Sequence, residues 1–227
     1  MSDASSARIL PRIPGVGALL SGRKTRAAAS ARHREGTLWT SREATDGPTI
    51  VIFADAPYAW LASRIAVQLS ASVLVTTSES NPAGILDWVH TRTATVSNES
   101  TPPIGVIGVG AASALAVLAA ADPRVSRLAL ISPTQLGPLP EAAIPPTLLQ
   151  FTRSGINSSQ IRLLDDQLRT SGTAVRATDY LTVSEDWARY PRAARGAQRG
   201  LDDLMAFLRR GFGTEATFHV IPGWDLH

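Results

Sequence analysis

Two hydrophobic patterns alternate along this chain: short unbroken apolar runs, and longer stretches in which apolar residues recur at helical spacing. Residues 49–53 (TIVIF) form a continuous apolar run, the pattern of a strand buried on both faces of a parallel sheet. Residues 72–76, 104–107, 128–131, 147–151 and 174–180 are further strand-length segments. Between them the spacing predicts helices over 61–69, over 85–90 with Trp88 on the apolar side, from about 111 onwards, over 158–171 and over 200–210. Ile161, Leu164 and Leu168 share one face of the 158–171 helix, which Gly172 ends. Leu201, Leu204, Met205 and Leu208 line the last helix in the same way. Residues 36–42 (GTLWTSR) read as an edge strand with Trp39 buried, and 218–221 as a short strand in the tail. Strands alternating with helices predict right-handed crossovers and a mostly parallel central sheet, the α/β class. The expected division is a basic arm or helix over 1–35, the α/β domain over 36–212 and a tail over 213–227.

Ligands of such sheets sit at the carboxyl ends of the strands. Chemistry is therefore expected in the loops after Phe53, Ile107, Phe151 and Tyr180. The loop after Ile107 is the most specific, because a buried strand, a glycine turn and a small-residue helix follow one another directly. That is the geometry of a nucleophile elbow, where G-x-S-x-G lifts a serine above the sheet. Here the register reads Gly108-Val109-Gly110-Ala111-Ala112, so the position of the serine is Gly110, which has no side chain. The turn lacks the Lys-Ser/Thr of a phosphate-binding loop and the last glycine of a dinucleotide fingerprint.

The segment GVIGVGAASALAVLAAADPRVSRLALISP resembles the α/β-hydrolase family, particularly the esterase and acetylhydrolase branch related to hormone-sensitive lipase. In that branch the same order runs strand, G-x-S-x-G, Ala-rich helix, a D-P-R-V type turn and a strand ending in Ser-Pro. The resemblance spans about residues 36–212 and implies an α/β-hydrolase-like three-layer sandwich with a mostly parallel central sheet. It places the nucleophile at Gly110 and the oxyanion segment at Ala54-Asp55-Ala56. It places the triad acid within 153–158, with Asn157 as its counterpart, and the triad histidine at Glu185. Every one of these positions departs from the family pattern. His33, His90, His219 and His227 all fall out of register, so the resemblance implies a hydrolase frame without a Ser-His-Asp triad and without serine-hydrolase activity.

Composition narrows the picture. The 227 residues include no cysteine, which removes disulfides, thiolate catalysis and cysteine-ligated metals. Twenty-two Lys plus Arg against 19 Asp plus Glu give a net charge of +3, too slight for the basic face of a nucleic-acid binder. The most basic stretch holds Arg23, Lys24, Arg26, Arg32 and Arg34. No signal-peptide or membrane-spanning stretch interrupts the pattern, so a cytoplasmic protein with no membrane partner is expected. No metal cluster or cofactor motif is visible, and no cofactor is expected.

The residues expected around Gly110 are Asp55, Tyr58, Trp60, Ala111, Asn157, Glu185 and Trp187. Asp55 and Glu185 are the expected catalytic pair, acting as acid and base with burial adjusting their proton affinities. Tyr58, Trp60, Gly110, Ala111, Asn157 and Trp187 are expected to bind a small organic substrate of polyketide-like or polycyclic kind. The reading that follows is a non-hydrolytic, repurposed biosynthetic catalyst of cyclase, isomerase or lyase type. Its alternatives are a catalytically dead binding or scaffold protein, with Asp55 reduced to a helix cap, and a residual esterase-type hydrolase in which Asp55 or Glu185 activates water. A homodimer formed through an edge strand or the last helices is a further expected partnership.

Overall fold

The computed structural model describes residues 28–41, 47–77, 81–94, 102–134, 137–153, 157–181, 187–191, 194 and 196–213. Eight strands form one sheet: β1 (Ala28–His33), β2 (Gly36–Ser41), β3 (Thr49–Ala54), β4 (Ser72–Thr77), β5 (Ile104–Val109), β6 (Val125–Ile131), β7 (Thr147–Thr152) and β8 (Val175–Tyr180). The helices are α1 (Ala59–Gln68), α2 (Pro82–Ala94), α3 (Ser113–Ala120), α4 (Ser158–Thr170) and α5 (Ala197–Phe212). Strand order is β1-β2-β4-β3-β5-β6-β7-β8, antiparallel at β1/β2 and β2/β4 and parallel from β4 to β8.

The unbroken apolar runs are central because they are covered on both sides. Every residue of β3 and of β5 is buried. Ile50, Ile52 and Ala54 pack with Leu61 and Ile65 of α1 and with Leu201, Leu204 and Leu208 of α5. Val51 and Phe53 face the other way, toward Ile85 and Val89 of α2, Ala116 of α3, and Ile161 and Leu164 of α4. Three layers result, with the period-two alternation of each strand feeding two separate cores.

Two expectations about the chain's beginning are corrected. Residues 28–33, assigned to the basic arm, form β1, which pairs along its whole length with β2. The segment AASARH carries almost no apolar signal because four of its six positions face solvent, so its strand state comes from the hairpin rather than from burial. β2 is consequently not an edge: it lies between β1 and β4, with Trp39 buried as expected. The 218–221 strand lies outside the described residues.

The turn entering β6 is held by charge. Asp122 accepts from the Arg124 backbone N–H at 2.9 Å and from its guanidinium at 2.8 and 2.6 Å, while the same guanidinium reaches Asp87 of α2 at 2.8 Å. The Arg124 side-chain hydrogen bond holds the Asp122 carboxyl below the usual carboxylate range. An unfolded Asp122 takes up its proton at a higher pH than the folded one, so this contribution is complete above the ordinary carboxylate pKa of about 4. It is lost as pH falls through the lower folded value. Asp122→Asn is expected to destabilise by about 0.5–1 kcal/mol at pH 7 in urea titrations. The gap to the wild type should shrink as pH drops below about 4; a gap independent of pH would refute this origin.

Candidate active site

The elbow is built as its sequence register demands. β5 ends at Val109 in extended backbone (φ −120°, ψ 126°), and a single turn of 3₁₀ helix, Gly110–Ala112, leads into α3. Gly108 lies where α3 crosses the strand: a Cβ there would meet the Ala116 Cβ at 2.6 Å and the Ser113 Cα at 2.7 Å. Gly110 has φ +58°, the left-handed conformation that forces the chain out of the strand, and a Cβ placed on it would find, among the described residues beyond its chain neighbours, no atom within 4 Å. Its carbonyl accepts from the Thr134 N–H at 3.2 Å, which ties the elbow to the loop after β6.

Above Gly110 opens a cavity of about 240 Å³ at the carboxyl ends of the parallel strands. Asp55 and Tyr58 enter from the loop after β3, Ser132 to Thr134 from the loop after β6, and Phe151 and Thr152 from the end of β7. Asn157 and Ile161 come from the start of α4, and Ala188 and Arg189 from the segment before α5. Tyr58 (φ 39°) and Ser132 (φ 45°) both adopt left-handed backbone although neither is glycine. Such conformations cost about 1–3 kcal/mol each and gather at sites that use them.

Of the expected site residues, Asp55, Tyr58, Gly110, Ala111 and Asn157 all line this cavity. Asp55 accepts a hydrogen bond from the Tyr58 hydroxyl at 3.2 Å and an ion-pair contact from Arg189 Nη1 at 3.4 Å. It does not cap α1, whose N-cap is Tyr58. The burial expected of it is corrected too: its side chain keeps 53% of its exposure, because the loop after β3 forms the rim of the cavity rather than its floor. Asn157 stands at the N-cap of α4 without a side-chain capping bond and accepts at its carbonyl from the Ile161 N–H at 3.0 Å.

Trp60 and Trp187 are corrected outright, since neither lines the cavity. Both are buried in the α1–α5 core, their rings edge-to-face at 6.4 Å and 87°. Trp187 lies over Gly200 of α5, where a Cβ would come within 2.8 Å of the indole. Trp60 turns inward because α1 begins at Ala59, two residues before the helical spacing announces it. Glu185 lies outside the described residues. The cavity, at about 240 Å³, lies just below the roughly 300–1,000 Å³ common for drug-sized ligands.

The structure adds Ser132, Thr134, Thr152 and Arg189 to the candidates. The first two were within reach of sequence reasoning, because the Ser-Pro pair ends a parallel strand and so belongs at the same edge of the sheet. Arg189 had no local signal. Its segment packs on α5 through Trp187 over Gly200, and the same helix is joined to β7 and β8 by a buried polar cluster in which Gln150 of β7 donates to the Tyr180 hydroxyl and to the Gly200 carbonyl, both at 2.9 Å. Tyr180 in turn donates to Asp203 of α5 at 2.7 Å, and burial followed by that carboxylate pushes its phenol well above the ordinary value.

No protein-family model and no curated protein sequence matches the chain. Solved structures do. An esterase from Pyrobaculum calidifontis superposes with a TM-score of 0.69 at 12% identity, over 92% of this chain and 93% of that one. The Francisella virulence factor BioJ gives 0.71 at 12% identity with the same coverage. An esterase from the bacterial hormone-sensitive lipase family gives 0.68 at 14% identity, over 94% and 93%. The fold is that of the α/β-hydrolases. Identity this low establishes architecture and leaves activity to the residues of the site. The expectation of a non-hydrolytic cyclase, isomerase or lyase is nevertheless corrected: structures that share the whole α/β-hydrolase architecture with this chain are named as esterases. Among the described residues no helix is long and apolar enough to cross a membrane.

Proposed function

We propose that this chain is an esterase-type hydrolase for small carboxylic esters, in which water attacks directly in place of a side-chain nucleophile. The observation that carries the reading is the open elbow. Gly110 keeps the left-handed backbone of a nucleophile position and, among the described residues beyond its chain neighbours, has no atom within 4 Å of where its Cβ would stand, facing a cavity of about 240 Å³. The Ser-His-Asp set is missing in this reading, with Gly110 at the nucleophile position and Asn157 at the acid's. Water, unlike a serine side chain, needs room at that point, and glycine leaves it.

The remaining roles follow from chemistry at the rim. Asp55, held by Tyr58 and Arg189, takes a proton from the water as its oxygen bonds to the ester carbonyl carbon. The carbonyl oxygen gains negative charge, which the N–H of Ala111 stabilises; amides at the start of a helical turn lack an intrahelical partner. Collapse breaks the bond to the alcohol oxygen, which takes the proton back from Asp55 and leaves with it. Acid and alcohol are the products, and no covalent intermediate forms.

The test is steady-state hydrolysis of p-nitrophenyl acetate. The wild type is expected to exceed the buffer rate, and Asp55→Asn to lower kcat about a hundredfold, the lower end of general-base effects. A second reading, binding without turnover, is favoured by the exposure of Asp55. Saturable ester binding with no hydrolysis would select it.

A further inference from the structure

Among the described residues, the guanidinium of Arg189 meets its carboxylate partner only loosely. Its contact to Asp55 is 3.4 Å, whereas Arg153–Asp179 closes to 2.8 Å, Arg169–Asp165 to 2.7 Å and Arg124–Asp122 to 2.6 Å. Charge-assisted hydrogen bonds to carboxylates normally lie at about 2.7–2.9 Å, and a guanidinium offers five N–H donors in a planar fork. The group is nonetheless held in place. It packs 5.3 Å from the Tyr190 ring centroid, and its side chain keeps 41% of its exposure at the cavity wall. An arginine stacked on a ring but only loosely paired is organised for a second carboxylate.

The rest of the cavity fits such a ligand. Among the described residues, Arg189 and Asp55 are the charged ones that line it, one cation and one anion at the rim. Asp55 contacts Arg189 through Nη1, and among the described residues the other nitrogens of the fork have no acceptor. Pro133, Phe151, Ile161 and Ala188 form an apolar wall suited to a short aliphatic spacer. Arg153, at the end of β7, is already taken up by Asp179.

We propose that Arg189 recognises a free carboxylate on the substrate, so that the site takes short esters bearing an anionic group a few carbons from the ester carbonyl. This inference rests on the esterase reading for the placement of the carbonyl over Gly110, while the carboxylate contact is measurable by binding alone. Monomethyl succinate and dimethyl succinate differ by one methyl group and one charge. In calorimetric titrations the wild type is expected to bind the monoanion about tenfold more tightly than the diester, the worth of a hydrogen bond to a charged group. Arg189→Gln should abolish that ratio, and Arg189→Lys, which keeps the cation but not the fork, should retain part of it. Equal affinities in the wild type, or a preference that survives in Arg189→Gln, would overturn the proposal. Hydrolysis followed in the same samples reports on the other reading separately. Carboxylate preference without turnover keeps Arg189's role and removes the esterase. Turnover without preference does the reverse.

Discussion

Gly108→Ala is expected to destabilise the protein by about 3 kcal/mol, at the upper end of what one added methyl costs a packed core. The added carbon would lie 2.6 Å from the Ala116 Cβ, 2.7 Å from the Ser113 Cα and 3.1 Å from a Leu130 methyl. One of those atoms is helix backbone, so α3 itself must retreat from β5 and no rotamer change suffices. β5 is paired on both sides with every residue buried, and it cannot move to compensate. For a domain of this size the loss corresponds to a fall in melting temperature of about 6–12 °C. Gly137→Ala, where a Cβ would meet nothing within 4 Å, serves as the control and should change stability by less than about 0.5 kcal/mol. Equal melting temperatures for the two variants would show that the close strand–helix approach is not what fixes the elbow.

Gly110→Ile is expected to abolish both turnover and ligand binding while leaving a folded protein. Among the described residues beyond its chain neighbours no heavy atom lies within 4 Å of the new Cβ, so the side chain projects into the cavity that the substrate needs. A β-branched residue at φ +58° adds backbone strain of about 1–2 kcal/mol, visible as a modest loss of stability. The signature is therefore dissociation of the two readouts: a cooperative thermal transition retained, and p-nitrophenyl acetate hydrolysis reduced to the buffer rate. Undiminished hydrolysis in this variant would place the chemistry somewhere other than above Gly110.

How far the sequence reveals the site depends on whether a residue's environment is local. Gly108 and Gly110 are legible because a strand, a turn and a helix adjoin in the chain, and the turn's geometry is set by the residues that make it. Asp55, Tyr58 and Asn157 are legible for a related reason, since ends of parallel strands converge at one edge of the sheet. The two tryptophans misled because an aromatic next to a strand end fits a pocket and a core equally well. Trp187 is settled by Gly200, a partner on the last helix that no spacing rule connects to it. Arg189 stayed hidden because its segment is placed by Trp187 packing on Gly200 of the last helix, a contact that no local pattern announces. β1 stayed hidden because Ala28 to His33 pair through backbone alone, with side chains mostly in solvent.

The central claim is direct attack by water at an elbow without a nucleophile, and mass spectrometry of the intact protein during p-nitrophenyl acetate hydrolysis tests it most directly. The account predicts continuous nitrophenol release with no initial burst, from a protein whose mass stays unchanged throughout. A burst accompanied by a mass increase of one acetyl group would mean that a side chain attacks the ester, and would contradict it.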